Sequence, residues 1–410
     1  MHPNNLRINA DRLNQSLADL ATIGATPAGG VTRLALSDED QRARKQLVSW
    51  IDDLGLETHV DDLGNMWTIR PGRSAADPVL LGSHIDTVVQ GGRYDGALGV
   101  LGALEVLRTL ADHNIETDKP IGLVNWTNEE GVRFEPAMTS SGVISRAFTA
   151  EYVHQREDRS GCRFGDELAR IGFAGSSAER PHPGAYLELH IEQGPVLESE
   201  NLPVAIVDGI VGITWNDVTV TGQPDHAGPS PMHLRRDPLM ASAELILAVE
   251  RIARERDETA VATVGRIEAQ ANIINTIPGV VRFSVDFRHQ DPTILDGQVD
   301  LIRRAAAEIA DRRKVDIAID RFWTSAPTPF DREVLDTAEQ ATVALGLPVR
   351  HLWSGAGHDA RYIADICPSA MIFVRSQGGL SHCEAEYSLP DDIAAGANVL
   401  LQTALRLATN

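Results

Sequence analysis

The sequence predicts an α/β fold: a mostly parallel sheet with helices on both faces, interrupted by an inserted α+β block with its own antiparallel sheet. Three observations lead there. Strongly apolar runs (PVLLG, IGLVNWT, AYLELHIEQG and PSAMIFV) alternate with helix-like segments, the pattern of strands buried on both faces. From about residue 214 the texture changes to polar–apolar alternation; in VVRFSVDFR, Val281, Phe283, Val285 and Phe287 fall on one side and Arg282, Ser284, Asp286 and Arg288 on the other. After the proline-bearing SAPTPF the first texture returns. The 410 residues exceed one ordinary core, and the chain divides into 1–211 with 328–410 around an insert of 212–327.

Taken in order, Ser37 stands before Asp38, Glu39 and Asp40 as an N-cap, ahead of an amphipathic run that closes at Gly55. Short strands follow at ETHVDD, NMWTIR and PVLLG, and from about Gly96 a helix whose Leu98, Leu101, Leu104 and Leu107 mark one apolar stripe. IGLVNWT and AYLELHIEQG are the next strands. In the insert, strands TWNDVTVTG, ATVGRI and VVRFSVDFRHQ alternate with helices at roughly 238–256 and 292–312. The returning segment reads as a helix, the loop SGAGHDA, the strand PSAMIFV, the loop GGLSHCEAEYS and a closing helix. No internal repeat or low-complexity tract is present.

Composition narrows the function. Lys and Arg total 37 against 58 Asp and Glu, a formal charge of −21, which argues against nucleic acid or an anionic membrane as main partner. No apolar stretch approaches a membrane span, and MHPNNLRINADRL lacks the layout of a secretion signal; a cytoplasmic protein is expected. Cys162, Cys367 and Cys383 have no CxxC spacing, so ordinary reduced thiols are expected rather than disulfides or a thiolate zinc site.

In doubly wound sheets, ligands gather beyond the carboxyl ends of the strands. His84, Glu129, Glu130 and His190 fall there, Asp95 stands in a glycine turn before a helix, and His382 lies in the returning segment. Singly, each has an ordinary reading: HxD is frequent in turns, paired acids usually lie on solvated surfaces, and Asp95 suits a turn. Jointly, five ligand-type residues at strand-to-loop transitions of one sheet read as a two-metal hydrolase centre. Imidazole and carboxylate suit zinc, manganese, cobalt or nickel, and a carboxylate can bridge two divalent ions. Asp86 shares a face with His84 and is expected to hold its second ring nitrogen. For His226, Asn275, Arg288, His358 and Asp359, surface, turn or cap roles compete with ligand binding. His182, His233, His351 and Cys383 are read as structural.

The segments GSHIDTV, GGRYDGALGV, NWTNEEGVRF, ELHIEQGPVLE, GQPDHAG, PMHLRRD, NTIPG, VDFR, SGAGHDA and GGLSH occur in this order over about residues 82–386. With them the chain resembles the metal-dependent amidase and carboxypeptidase superfamily that includes aminoacylases, and within it the branch of N-carbamoyl-L-amino-acid hydrolases, beta-ureidopropionases and allantoate amidohydrolases. The resemblance implies His84, Asp95 and His190 around one ion and Asp95, Glu130 and His382 around the other. It makes Glu129 the general base, with Asp86 beside it in the catalytic set and His226 as oxyanion donor. It places Gln193, His226, Asn275, Arg288, Gly357 and His358 against a small anionic ureido substrate. The insert becomes a lid and the interface of a homodimer, with His226 reaching the partner's site. The implied reaction is hydrolysis of the carbamoyl C–N bond of N-carbamoyl-L-amino acids, with N-carbamoyl-beta-alanine a further candidate. Allantoate amidohydrolase, aminoacylase, dipeptidase and a catalytically inactive binding protein of this fold are the alternatives. The chain departs from the pattern after His382, where Cys383 and Glu384 replace a small polar residue and a proline. A nucleotide-binding reading lacks its glycine-rich motif.

Overall fold

A computed structural model describes residues 5–409. The chain opens with helices α1 (Ala10–Ala21) and α2 (Asp38–Asp52), the latter capped by Ser37, whose Oγ accepts from Asp40 N at 3.2 Å. Strands β1 (His59–Val60), β2 (Met66–Arg70) and β3 (Val79–His84), helix α3 (Ala97–Asp112) and strand β4 (Ile121–Trp126) follow. Four short helices, α4 (Thr139–Ile144), α5 (Ala150–His154), α6 (Phe164–Arg170) and α7 (Val196–Ser199), surround β5 (Ala185–Ile191), and β6 (Val204–Ile210) comes next.

The insert contains β7 (Gly212–Thr221), β8 (Asp225–His226), α8 (Pro238–Arg256), β9 (Val261–Thr263), β10 (Ile267–Ala269), β11 (Thr276–Ile277), β12 (Val280–His289), α9 (Pro292–Arg313) and β13 (Asp316–Ser325). The chain returns through β14 (Thr328–Pro329), α10 (Arg332–Ala344), β15 (His351–Ser354), α11 (Ala360–Ile363), β16 (Ser369–Val374) and α12 (Pro390–Ala408). Two compact units result: the chain up to Gly209 with that from Pro329, and Ile210–Thr328.

In the first unit the sheet runs β1-β2-β4-β3-β5-β16-β6-β14, with β15 on β6. The four central strands β4, β3, β5 and β16 are parallel and wholly buried, as their unbroken apolar runs require. Helices cover both faces. Leu189 of β5 abuts Gly102 of α3 and Gly396 of α12, while Glu188, its neighbour on the opposite face, accepts from Ala360 N at the start of α11 at 3.0 Å. Helix α3 shows more than the expected stripe. It is buried nearly all round, and its Glu105, fully enclosed, pairs with Arg12 at 2.8 Å.

The second unit has an antiparallel sheet β10-β12-β7-β13 with β9 also on β12, and a two-stranded ladder β8–β11. Val281, Phe283, Val285 and Phe287 are buried and form a core with Leu245, Val249, Val299 and Ile302 of α8 and α9. The single strand expected at ATVGRI is corrected to two, β9 and β10. They pair with different parts of β12, Asp286–Arg288 and Val281–Phe283, and Gly265 lies in the break. Among the described residues, no helix is long and apolar enough to cross a membrane.

Candidate metal centre

Three parallel strands end side by side, and their last residues build the centre. His84 closes β3 and is paired in register with Trp126 at the end of β4; His190 stands next to last in β5, opposite Phe373 of β16. Each ring is oriented by its Nδ1, which donates to a carbonyl: that of Asp86 for His84 (2.9 Å) and that of Ile191 for His190 (2.9 Å). Nε2 of both rings is thereby turned inward, to Asp95 Oδ1 at 3.8 Å from His84 and 3.1 Å from His190. Asp95 reaches this position because Gly96, at φ +62°, turns the chain into α3; a Cβ there would lie 2.4 Å from the His84 ring.

The other oxygen of Asp95 faces a second group. His382 Nε2 lies 3.3 Å from Asp95 Oδ2 and 3.6 Å from Glu130 Oε2. The ligand atoms of His84, Asp95 and His190 lie within 4.8 Å of one another, and so do those of Asp95, Glu130 and His382. Glu129 belongs to neither group, but its Oε2 is 3.5 Å from His84 Nε2.

Two buried carboxylates hold the loops beneath these side chains. Asp86 accepts the backbone N–H groups of Glu129 and Glu130, both at 3.3 Å. This corrects the expectation that its carboxylate holds the His84 ring: Asp86 Oδ1 is 3.9 Å from Nδ1, and the backbone carbonyl makes the bond instead. Glu386, which the sequence did not single out, accepts the N–H groups of Tyr94 (3.1 Å) and Asp95 (3.2 Å) and the hydroxyl of Ser381 (3.0 Å). Only a signal linking residues nearly three hundred positions apart could have revealed it.

The residues fit a pair of cations. Burial pushes the Glu129 carboxyl well above its usual range, with Asp359, Glu130, Asp86 and Asp95 adding to it; Glu130 is raised by burial and then by Asp95 and Asp86. Burial opposes ionisation of Asp95 too, yet bonding to His190 and His382 holds its carboxyl well below the ordinary value. Glu130 Oε1 is buried without a hydrogen-bond partner among the described residues. Crowded acids, inward-facing imidazoles and an unpartnered buried oxygen are a donor set for divalent metal. A third close group, Glu188, His190 and His358, differs in kind. Glu188 already accepts from Ser83 Oγ, Tyr186 OH and Ala360 N, and His358 Nε2 bonds Ser354 Oγ at 2.8 Å.

Of the residues expected to touch substrate, Gln193 lies inside the centre, its Nε2 donating to Asp95 Oδ2 at 2.9 Å. His358 is buried with its ring edge on His190, centroids 4.4 Å apart, so it braces a neighbour; Gly357 beside it is exposed. In the second unit the β8–β11 ladder brings His226 next to Asn275: Thr276 pairs with His226, and Ala227 N donates to Asn275 O at 2.9 Å. Gly228 N donates to His226 Nδ1 at 3.1 Å, so the neutral ring carries its proton on Nε2. Arg288, in β12, pairs with Asp286 two residues away at 2.7 Å. His351 is held by Asp208 at 2.6 Å, and His182 and His233 are exposed.

Residues 80–406 match the model of Peptidase family M20/M25/M40. The chain is 43% identical over 408 residues to an N-carbamoyl-L-amino-acid amidohydrolase of Rhizobium meliloti, covering 98% of each. It is 35% identical over 393 residues to an allantoate amidohydrolase of Bacillus subtilis, covering 95% of each. The crystal structure of an amidase of the hydantoinase/carbamoylase family from Burkholderia multivorans superposes with a TM-score of 0.96 at 44% identity, over 99% of both chains. The chain belongs to Peptidase family M20/M25/M40 and is an amidohydrolase acting on linear amides.

Proposed function

We propose that this enzyme hydrolyses N-carbamoyl-L-amino acids, releasing the amino acid, ammonia and carbon dioxide. The observation behind the chemistry is the Asp95 carboxylate, whose two oxygens face two separate ligand groups with Glu129 alongside. The greater identity to a carbamoyl-amino-acid enzyme, 43% against 35% for an allantoate enzyme, supports the substrate. His84, Asp95 and His190 would hold one divalent ion and Asp95, Glu130 and His382 the other; such a pair acidifies water and draws charge from a carbonyl oxygen.

The chain's own groups do the rest. A ureido carbonyl resists attack because two nitrogens donate into it, so the attacking water must be deprotonated. Glu129, made basic by burial among other carboxylates, takes that proton and returns it to the departing nitrogen. One water is consumed: R–NH–CO–NH2 + H2O gives R–NH2, NH3 and CO2. His226, with its proton on Nε2, supplies a hydrogen bond to the oxyanion, a contribution typically worth about 3 kcal/mol in a closed site. Arg288 pairs with the substrate carboxylate, and Gln193 and Asn275 hold its polar edges. The second unit exposes Met232, Leu234, Leu247, Phe322 and Trp323, which favours the reading that it also forms the interface of a homodimer. The test is ammonia release by the metal-reconstituted enzyme from N-carbamoyl-L-amino acids and from allantoate. A higher kcat/KM on allantoate would overturn the substrate assignment.

A further inference from the structure

Residues 24–33 lie before the segment 80–406 that matches the family model, yet they bind two of the loops that build the centre, the one between β3 and α3 and the one before α12. Arg33 donates from its backbone N to Thr87 Oγ1 (2.8 Å) and from Nε to the Ile85 carbonyl (2.7 Å), just beyond His84. Val31 and Gly91 exchange backbone bonds of 3.0 and 2.9 Å, and Arg93 Nη2 donates to the Gly29 carbonyl at 2.5 Å, on the approach to Asp95. Thr26 Oγ1 donates to Glu384 Oε1 and accepts from Gly30 N at 3.0 Å. Glu384 is one of the two departures noted beside His382. The fit there is close: a Cβ on Gly30 would lie 2.7 Å from Glu384 Cγ and 2.5 Å from the Gly91 carbonyl oxygen.

We propose that residues 24–33 act as a positioning strap for the metal centre, and that the bond between Thr26 and Glu384 sets the affinity of the Asp95–Glu130–His382 group. The argument lies in how the ligands are supported. His84 and His190 stand on buried strands, whereas His382 sits in a loop at φ +54° with its side chain half exposed. A ligand on a loop depends on that loop's tethers. Those tethers include Glu386 on Tyr94 and Asp95, Ser381 on Asp95, Gln193 on Ser381, and Glu384 on Thr26. A charge-assisted hydrogen bond thus ties this loop to the chain's own N-terminal segment. The outer partners of metal ligands typically change affinity about 10- to 100-fold when removed.

This inference rests on the metal reading of the centre, and its test separates the two. Full-length protein is freed of metal by chelation and titrated with cobalt(II), following visible absorbance and bound metal by equilibrium dialysis. The wild type should bind two ions, and one of the two should bind about tenfold more weakly in Thr26→Val. Thr26→Ser, which keeps the donor, should restore it; Gly30→Ala should act in the direction of Thr26→Val. Unchanged binding of both ions by Thr26→Val overturns the strap, as does equal weakening of both ions accompanied by a fall in melting temperature in all three variants. A wild type that takes up no cobalt overturns the metal reading itself.

Discussion

Glu386 offers the cleanest separation of hydrogen bonding from charge at the centre. It is 3% exposed; its Oε1 accepts two backbone N–H groups, at 3.1 and 3.2 Å, and its Oε2 accepts Ser381 Oγ at 3.0 Å. Glu386→Ala strands both N–H donors in a buried place at about 1–3 kcal/mol each, so a loss of about 2–6 kcal/mol is expected. Glu386→Gln behaves differently. Its carbonyl oxygen can still accept from Tyr94 and Asp95, its NH2 faces Ser381, and the serine hydroxyl can keep donating to Asp95 Oδ2 at 3.3 Å. Burial, assisted by Asp95, pushes the Glu386 carboxyl up to about 7, so near neutrality the protonated acid is already well populated and glutamine imitates it. A cost below about 1 kcal/mol follows. Denaturant unfolding of the full chain, with turnover measured on the same samples, reads both. Equal damage from Gln and Ala would show that charge rather than bond geometry holds the Asp95 turn, and harmlessness of both would remove the clamp.

Glu129→Gln should retain bound metal while kcat falls about 10²- to 10⁴-fold; activity within tenfold of wild type would exclude Glu129 as the base. Arg288→Ala should impair carboxylate substrates about 10²-fold more than the matching amides, given about 2–3 kcal/mol for a charge-assisted pair. An equal loss on both would remove Arg288 as the carboxylate's partner. In the second unit, hydrogen bonds from Arg312 and then Arg313 hold the Glu244 carboxyl down to about 2. A folded value below that of the unfolded chain gives stability present above about pH 4 and lost as pH falls toward 2, about 1 kcal/mol for a partly exposed cluster. Glu244→Gln should therefore be destabilised at pH 7, with the gap to wild type narrowing in acid; a gap independent of pH would refute the ion pairing.

What the sequence revealed was what local pattern encodes. His84, Glu129, Glu130 and His190 were legible because a parallel strand ends in a recognisable way and the chain delivers its next residues to the carboxyl edge of the sheet. The inward row Val281, Phe283, Val285 and Phe287 was legible from the period of two. Strands β6, β13 and β15 were missed, although in β13 Ile317 and Ile319 alternate with their neighbours and pack against the core of the second unit. Glu386 was out of reach for another reason. Its value lies in two N–H groups at positions 94 and 95, and pairing across that distance is decided by packing. Asp86 has another partner than expected, because its backbone carbonyl rather than its carboxylate meets the His84 ring.

The partners of these acids also bear on which of them would bind ions. Isolated buried carboxylates cost several kcal/mol each unless compensated, and the centre compensates them in two ways. Asp86 and Glu386 accept backbone N–H groups, donors fixed by the fold, and Glu188 accepts Ser83, Tyr186 and Ala360 N. Asp95 has only side-chain partners (His190, His382, Gln193 and Ser381), and Glu130 leaves one buried oxygen with none among the described residues. Acids satisfied by the backbone are positioned by it and have little reason to recruit a cation. Acids served by movable side chains can exchange those partners for metal at small cost. Sorted this way, Asp95, with side-chain partners alone among the described residues, separates from Asp86 and Glu386 although all three are enclosed by the same strands and loops, so proximity alone would not define a ligand set.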